Sequence, residues 1–346
     1  MRPQRALVMG ASGFLGSHVV RRLVERGDDV RVYLRTTSST RAIDDLDLDR
    51  HHIDRCYGDL GDVEALRAAM AGRDVVYYCV VDTRAWLRDP APLFATNVEA
   101  LRGVLDVASA ANLRKFVFTS TIGTIAIGQG ADSNHVDEDT PFDWDGKGGP
   151  YVESRRQAEE LVLRHARERG LPAVAMCVSN TYGPGDWQPT PHGSMIAAAA
   201  LGSMPGYVRG VAAEVVGVED AAQALLLAAD HGRVGERYIV SESCQSMQTL
   251  FETAADETGV RAPRFGVPLP VLYAVGFVGS LVGRLLRRDT PVTLTSVRLL
   301  RFTSPLSHEK ATRELGWEPR PTTEAIRRAA RFFTSVADAR AGHSRR

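Results

Sequence analysis

Lysine is nearly absent from the 346-residue chain: only Lys115, Lys147 and Lys310 stand among 42 basic residues, so the positive charge is almost wholly arginine. Forty-two acidic residues balance them and leave no net charge. That balance excludes a general pull towards nucleic acid or an anionic membrane, and no nucleic-acid partner is expected. Cysteine is scarce as well. Cys56, Cys79, Cys177 and Cys244 form no CxxC pair, which excludes a disulfide scaffold and a structural zinc site and fits a reducing compartment, the cytoplasm. No GxSxG of a serine hydrolase occurs. His51-His52 with Asp54 and Cys56 imitates a metal cluster, but neighbours on a strand point to opposite faces, so no metal is expected. Met1-Arg-Pro-Gln-Arg and the apolar stretch after it superficially resemble a signal peptide. Gly10, Gly13 and Gly16 break that stretch, and it reads as strand, turn and helix.

What is present is a regular alternation. Apolar runs at Ala6–Met9, Val30–Leu34, Ile53–Tyr57, Val75–Cys79, Phe116–Ser120 and Ala173–Val178 predict strands. Helical patterns lie between them at Phe14–Arg26, Val63–Ala69, Phe94–Ala111 and Tyr151–Glu168. Strand and helix in turn mean βαβ units and an α/β, doubly wound parallel sheet. The stretch 128–149, rich in Gly and Asp, is a long loop beside the sheet and is expected to act as a lid or binding loop. Beyond Tyr182 the pattern is irregular. It recovers with a strand at Glu214–Val218, a helix at Glu219–Asp230 and a strand at Arg237–Val240. Residues 1–178 and 213–242 therefore read as a nucleotide-binding domain. Residues 179–212 and 243–336 read as a smaller α+β substrate domain interleaved with its C-terminal half, and 337–346 as a disordered tail.

Gly10-Ala-Ser12-Gly13-Phe14-Leu15-Gly16 follows a strand and opens a helix. Glycines there allow a tight turn and close backbone approach, while free N–H groups and the positive helix end bind phosphate. The second strand ends at Leu34 and is followed by Arg35, where an acid would select NAD and a base suits the 2′-phosphate of NADP. Arg35 and Arg41, with Ser/Thr between them, are expected to surround that phosphate. NADP is the expected cofactor, with NAD the alternative.

The Gly10-x-x-Gly13-x-x-Gly16 spacing resembles the extended short-chain dehydrogenase/reductase, or NAD-dependent epimerase/dehydratase, family. Further pieces fall in the family's order: Gly58-Asp59-Leu60, Asn97-Val98, Thr119-Ser120-Thr121, Tyr151-Val-Glu-Ser154-Arg155, Tyr182-Gly183-Pro184, Val218-Glu219-Asp220 and Leu315-Gly316-Trp317. Within it, Pro189–Tyr207 and the C-terminal third are most similar to the 3β-hydroxysteroid dehydrogenase, dihydroflavonol reductase and hopanoid-associated branch. The resemblance implies a Rossmann fold and a hydride-transfer enzyme. It implies Thr121, Tyr151 and Arg155 as catalytic residues, with Gly10, Ser12, Gly13, Phe14, Leu15, Gly16, Asp59, Leu60 and Val80 around the cofactor beside Arg35, Tyr151 and Arg155. Tyr151 and Arg155 lie four apart at a helix start and so share a face.

Arg155 stands where the family has lysine; it keeps the charge but does not shed a proton. Cys79-Val80-Val81-Asp82 replaces a small, Ala-rich cofactor turn. The apolar run Val267–Leu286, ending in arginines, reads as a buried or substrate-covering helix, with a membrane-surface helix as the alternative. It predicts a hydrophobic pocket bordered by Trp187 and His192. The function implied is an NADP-dependent oxidoreductase acting on a carbonyl or secondary alcohol of a cyclic, apolar, sterol-like or dihydroflavonol-like molecule. Alternatives are an NDP-sugar epimerase or dehydratase and a catalytically weak NADP-binding sensor. A homodimer is a further expectation.

Overall fold

The structure, a computed structural model, describes residues 3–46, 53–128, 136–286, 289, 294–299 and 304–343. Its strands are β1 (Arg5–Met9), β2 (Asp29–Leu34), β3 (Asp54–Tyr57), β4 (Val75–Tyr78), β5 (Lys115–Thr121), β6 (Ala173–Val178), β7 (Asn180–Tyr182), β8 (Tyr207–Val208), β9 (Ala212–Gly217), β10 (Arg237–Val240), β11 (Ser243–Ser246) and β12 (Gly266–Val267). The helices are α1 (Phe14–Arg26), α2 (Val63–Met70), α3 (Ala91–Phe94), α4 (Leu101–Ala110), α5 (Gly149–Arg169) and α6 (Pro191–Ala200). They continue with α7 (Val218–His231), α8 (Met247–Thr258), α9 (Leu269–Leu286), α10 (Leu294–Leu299), α11 (Glu309–Leu315) and α12 (Thr322–His343).

Seven parallel strands form the main sheet in the order β10-β6-β5-β4-β1-β2-β3. The continuous apolar runs arise because both faces are covered by helices. Successive residues divide between two cores: Ala6, Val8, Val75 and Tyr77 join one with α1 and α7, whereas Leu7, Met9, Val76 and Tyr78 join the other with α2, α4 and α5. A third apolar cluster joins Tyr182, Ile196, Val215, Leu250, Phe251, Ile326 and Phe333, tying α6, α8 and α12 to the small sheet β11-β9-β7. Two of the family-like motifs meet in three dimensions: the buried Trp317 indole donates to the Asp220 carbonyl at 2.9 Å.

Several expectations change. The helix predicted over Phe94–Ala111 is three pieces, with a π-helical segment at Ala95–Ala100 between α3 and α4. Part of the supposed tail is ordered, since α12 runs to His343; its outer residues are Ala, Asp and Arg, which suit a helix once its inner face is packed. Residues 344–346 lie outside the described residues, as do His51 and His52 of the imitation metal cluster and 129–135 of the proposed lid. The described remainder of that loop is pinned. Val136 bridges Leu306, and buried Trp144 donates to the Ile125 carbonyl at 2.9 Å. Finally, α9 is not a buried helix. It packs along α10 and leaves Phe277, Leu285 and Leu286 more than half exposed.

Candidate active site

The glycine turn is shaped by close packing. Gly10 has a φ of +82°, and a Cβ on it would lie 2.8 Å from the backbone of Cys79; one on Gly16 would lie 2.2 Å from the Gly10 carbonyl oxygen. Side chains are excluded at both positions, so β1, β4 and α1 converge on bare backbone. The Gly13 N–H returns to the Gly10 carbonyl at 3.0 Å, and no side chain caps α1. The first N–H groups of the helix therefore remain available to an anion.

Gly10, Ser12, Arg35, Asp59, Leu60 and Val80 all line one cavity of about 700 Å³, together with Tyr33, Ser38 and Asp82 to Arg84. Sequence reasoning placed the first six there, with Ser38 among the Ser/Thr after Arg35 and Asp82 in the turn after the fourth strand, and missed Tyr33, Thr83 and Arg84. Gly58 is required because the Tyr33 hydroxyl would sit 2.3 Å from a Cβ at that position; the phenol donates to the Asp59 carbonyl at 2.9 Å and fixes the turn. Gly13, Phe14, Leu15 and Gly16 do not form its wall. Phe14 meets His18 edge-on and Leu15 packs on the core, so both side chains are engaged within the protein. The Arg41 guanidinium lies 3.8 Å over the Trp187 ring, and Arg41 does not line the cavity that Arg35 and Ser38 border. Trp187 packs edge-on against Phe332 and His192 against Tyr182. Trp187 lines a cavity of about 350 Å³ together with Ser17, His18, Arg21, Pro184 and Glu219.

Thr121 ends β5. Its hydroxyl oxygen accepts from the Gly123 N–H at 3.2 Å, which leaves its own proton free to donate. The short turn that follows packs on the first turns of α5, where Val152 would lie 3.7 Å from a Cβ on Gly123. Tyr151, half-buried, is the residue before Val152. Arg155, four residues on, is 1% exposed. Its Nη2 donates to the Thr119 carbonyl at 2.5 Å, and its guanidinium lies 5.2 Å from the Phe118 ring centre. Its Nε and Nη1 are buried with no hydrogen-bond partner. Next to it, burial pushes the Tyr78 phenol up against the pull of the Arg155 charge, and pushes the Cys79 thiol up to about 11. A buried cation with unused donors is costly unless something completes its shell.

Two further devices were not read from the sequence. Asn97, in the π-helical segment, accepts from the Asp82 N–H at 2.8 Å and donates to the Asp82 carbonyl and the Ser154 hydroxyl. It ties the turn after β4, on the cavity wall, to the helix that carries Tyr151. Buried Glu159 accepts from Ser120 at 2.5 Å, from Thr124 at 2.8 Å and from Arg237 at 3.2 Å. It thereby holds the chain on both sides of Thr121.

A glycine turn between the first strand and helix of a doubly wound parallel sheet, leading to a cavity beside the third and fourth strands, defines a nicotinamide-nucleotide-dependent dehydrogenase or reductase. Residues 6–241 match the NAD dependent epimerase/dehydratase family, and the chain belongs to that family. It is 32% identical over 330 residues to sterol demethylase protein B of Methylococcus capsulatus, covering 94% of this chain and 97% of that one. A Synechocystis protein assigned provisionally as a dihydroflavonol 4-reductase is 30% identical, with 94% and 93% covered. Among solved structures, the crystal structure of gox2253 superimposes with a TM-score of 0.82 at 33% identity, covering 96% of this chain and 98% of that one.

Proposed function

We propose that the chain is an NADP-dependent oxidoreductase that interconverts a carbonyl and a secondary alcohol on a cyclic, apolar, sterol-like substrate. The observation that carries this reading is the buried Arg155 guanidinium, four residues from Tyr151, with two N–H groups left without partners. Those donors suit the hydroxyls of a nicotinamide ribose. The bare backbone at Gly10 and Gly16 suits the pyrophosphate, and Arg35 with Ser38 suits a 2′-phosphate. Bound there, the nicotinamide ring would give or take hydride at C4.

The Thr121 hydroxyl donates a hydrogen bond to the substrate oxygen and holds it. In reduction the Tyr151 hydroxyl gives that oxygen its proton; in oxidation the phenolate takes it back. Arg155, one helical turn from Tyr151, offers its unpartnered N–H groups to the bound cofactor and so orients it beside the phenol. Asn97 and Glu159 keep the three groups in register. The apolar substrate is supported by likeness to a protein named for sterol demethylation. A substrate dissolved in lipid also gives the exposed α9 a place in this reading. Residues 179–212 and 243–336 supply the substrate side.

The test is a substitution series at Arg155 with turnover and cofactor titration read together. NADPH should bind about tenfold tighter than NADH, as a paired 2′-phosphate implies. Arg155→Ala should lower kcat by about 10²-fold or more, while Arg155→Lys restores most of it. Wild-type turnover in Arg155→Ala would remove Arg155 from catalysis and leave a cofactor-binding sensor.

A further inference from the structure

Along α9, Val271, Val275, Val278, Val282 and Leu285 recur every three or four residues and form one row, with Phe277 beside it. All six are exposed, Phe277 to 61% and Leu285 to 73%. Large apolar side chains that meet solvent are otherwise scattered singly over the described residues, at Tyr57, Val63, Val81, Leu201 and Val234. Here they are contiguous, and exposed Phe265 precedes them. A contiguous apolar face of this kind marks a surface that another phase or molecule covers.

Charge decides what covers it. In a chain with no net charge, the sequence from Thr258 to Arg288 holds five arginines and no acidic residue. Arg261 and Arg264 precede the helix and are exposed; Arg284, Arg287 and Arg288 stand at its other end in the sequence. A second copy is a poor occupant. Parallel pairing sets like arginine groups side by side, and antiparallel pairing sets the leading group of one copy against the trailing group of the other, so both orientations repel. No helix among the described residues is long and apolar enough to cross a membrane. An apolar row flanked by five arginines against a single following acid, Asp289, which accepts from the Arg88 N–H at 3.0 Å, and too short to span, fits a helix lying in a lipid interface.

We propose that α9 and its arginine flanks dock the protein on the surface of an anionic lipid bilayer. The inference deepens the reading of an apolar, lipid-borne substrate, but its test involves no turnover. The full chain is floated with vesicles of phosphatidylcholine containing about 30% phosphatidylglycerol, and with phosphatidylcholine alone, at ~0.1 M salt. The paired variant Val275→Asp/Val278→Asp is run beside it, and both exposed positions should keep the fold, checked by thermal melting and NADPH titration. Expected is flotation about tenfold greater with the anionic vesicles, lost about tenfold in the variant, with NADPH affinity unchanged. No flotation, equal flotation on neutral vesicles, or undiminished flotation of the variant overturns the proposal. So does a dimer in sedimentation that only the wild type forms and that stays in solution with vesicles present. A dead enzyme that still floats would count against the hydride-transfer reading alone.

Discussion

In β1 and β4 every side chain from Ala6 to Met9 and from Val75 to Tyr78 is closed off from water, whereas along α9 Val275, Phe277 and Leu285 stay half or more exposed. Both stretches are apolar. The difference lies in the layers: the strands are sandwiched between two helical cores, while α9 has α10 on one side. Burial is thus set by what the chain brings to both faces of an element, and apolar character alone does not secure it. The two regions should therefore respond very differently to equal changes.

The largest response is expected where backbone meets backbone. Gly16→Val would place a Cβ 2.2 Å from the Gly10 carbonyl oxygen and 2.8 Å from its carbon. Neither atom moves without pulling β1 out of register with β4. Loss of more than about 4 kcal/mol in urea unfolding, and of measurable NADPH binding, is expected. Near-parental stability with binding retained would break the claim that the sheet side of the molecule has no slack.

The sheet and its glycine turn were legible because apolar runs and helical patterns are local. So was the cluster of Arg35, Asp59, Leu60 and Val80, since strand ends at one edge of a parallel sheet converge. What escaped depends on distant partners. That Arg41 would stack on Trp187 requires knowing that residues 146 positions apart meet. Asn97 belongs to a motif in the sequence, but its grip on Asp82 and Ser154 comes from a π-helical segment that the plain helical pattern hides. The apolar letters of α9 say nothing about the scarcity of neighbours.

A moderate effect is expected beside the third apolar cluster. His192, in α6, packs against Tyr182, and its Nε2 is buried without a partner. Burial pulls its pKa down to about 4, more than the backbone bond at Thr181 raises it. The unfolded chain binds a proton more readily, near 6.5. The histidine's contribution to stability is therefore complete above that value and lost as pH falls from about 6.5 towards 4, by about 2–3 kcal/mol. His192→Phe carries no such proton. Chemical denaturation at pH 7 and pH 4 should show the wild type losing more stability than the variant; equal losses would sink the assignment.

The smallest effect tests the comparison most directly. Leu225 in α7 is 0% exposed within the core on one face of the sheet, and Leu285 in α9 is 73% exposed. Both sit in helices, and alanine is a slightly better helix former than leucine. For Leu225→Ala the lost contacts and the cavity dominate, at about 2–5 kcal/mol. For Leu285→Ala no cavity opens and little transfer energy is lost, so the change should fall within about 0.5 kcal/mol of zero. Urea unfolding of both variants in vesicle-free buffer gives the ratio. A loss of about 2 kcal/mol or more at Leu285 would mean that α9 packs against the body of the protein in solution. A near-zero value would leave its apolar row free for an external surface.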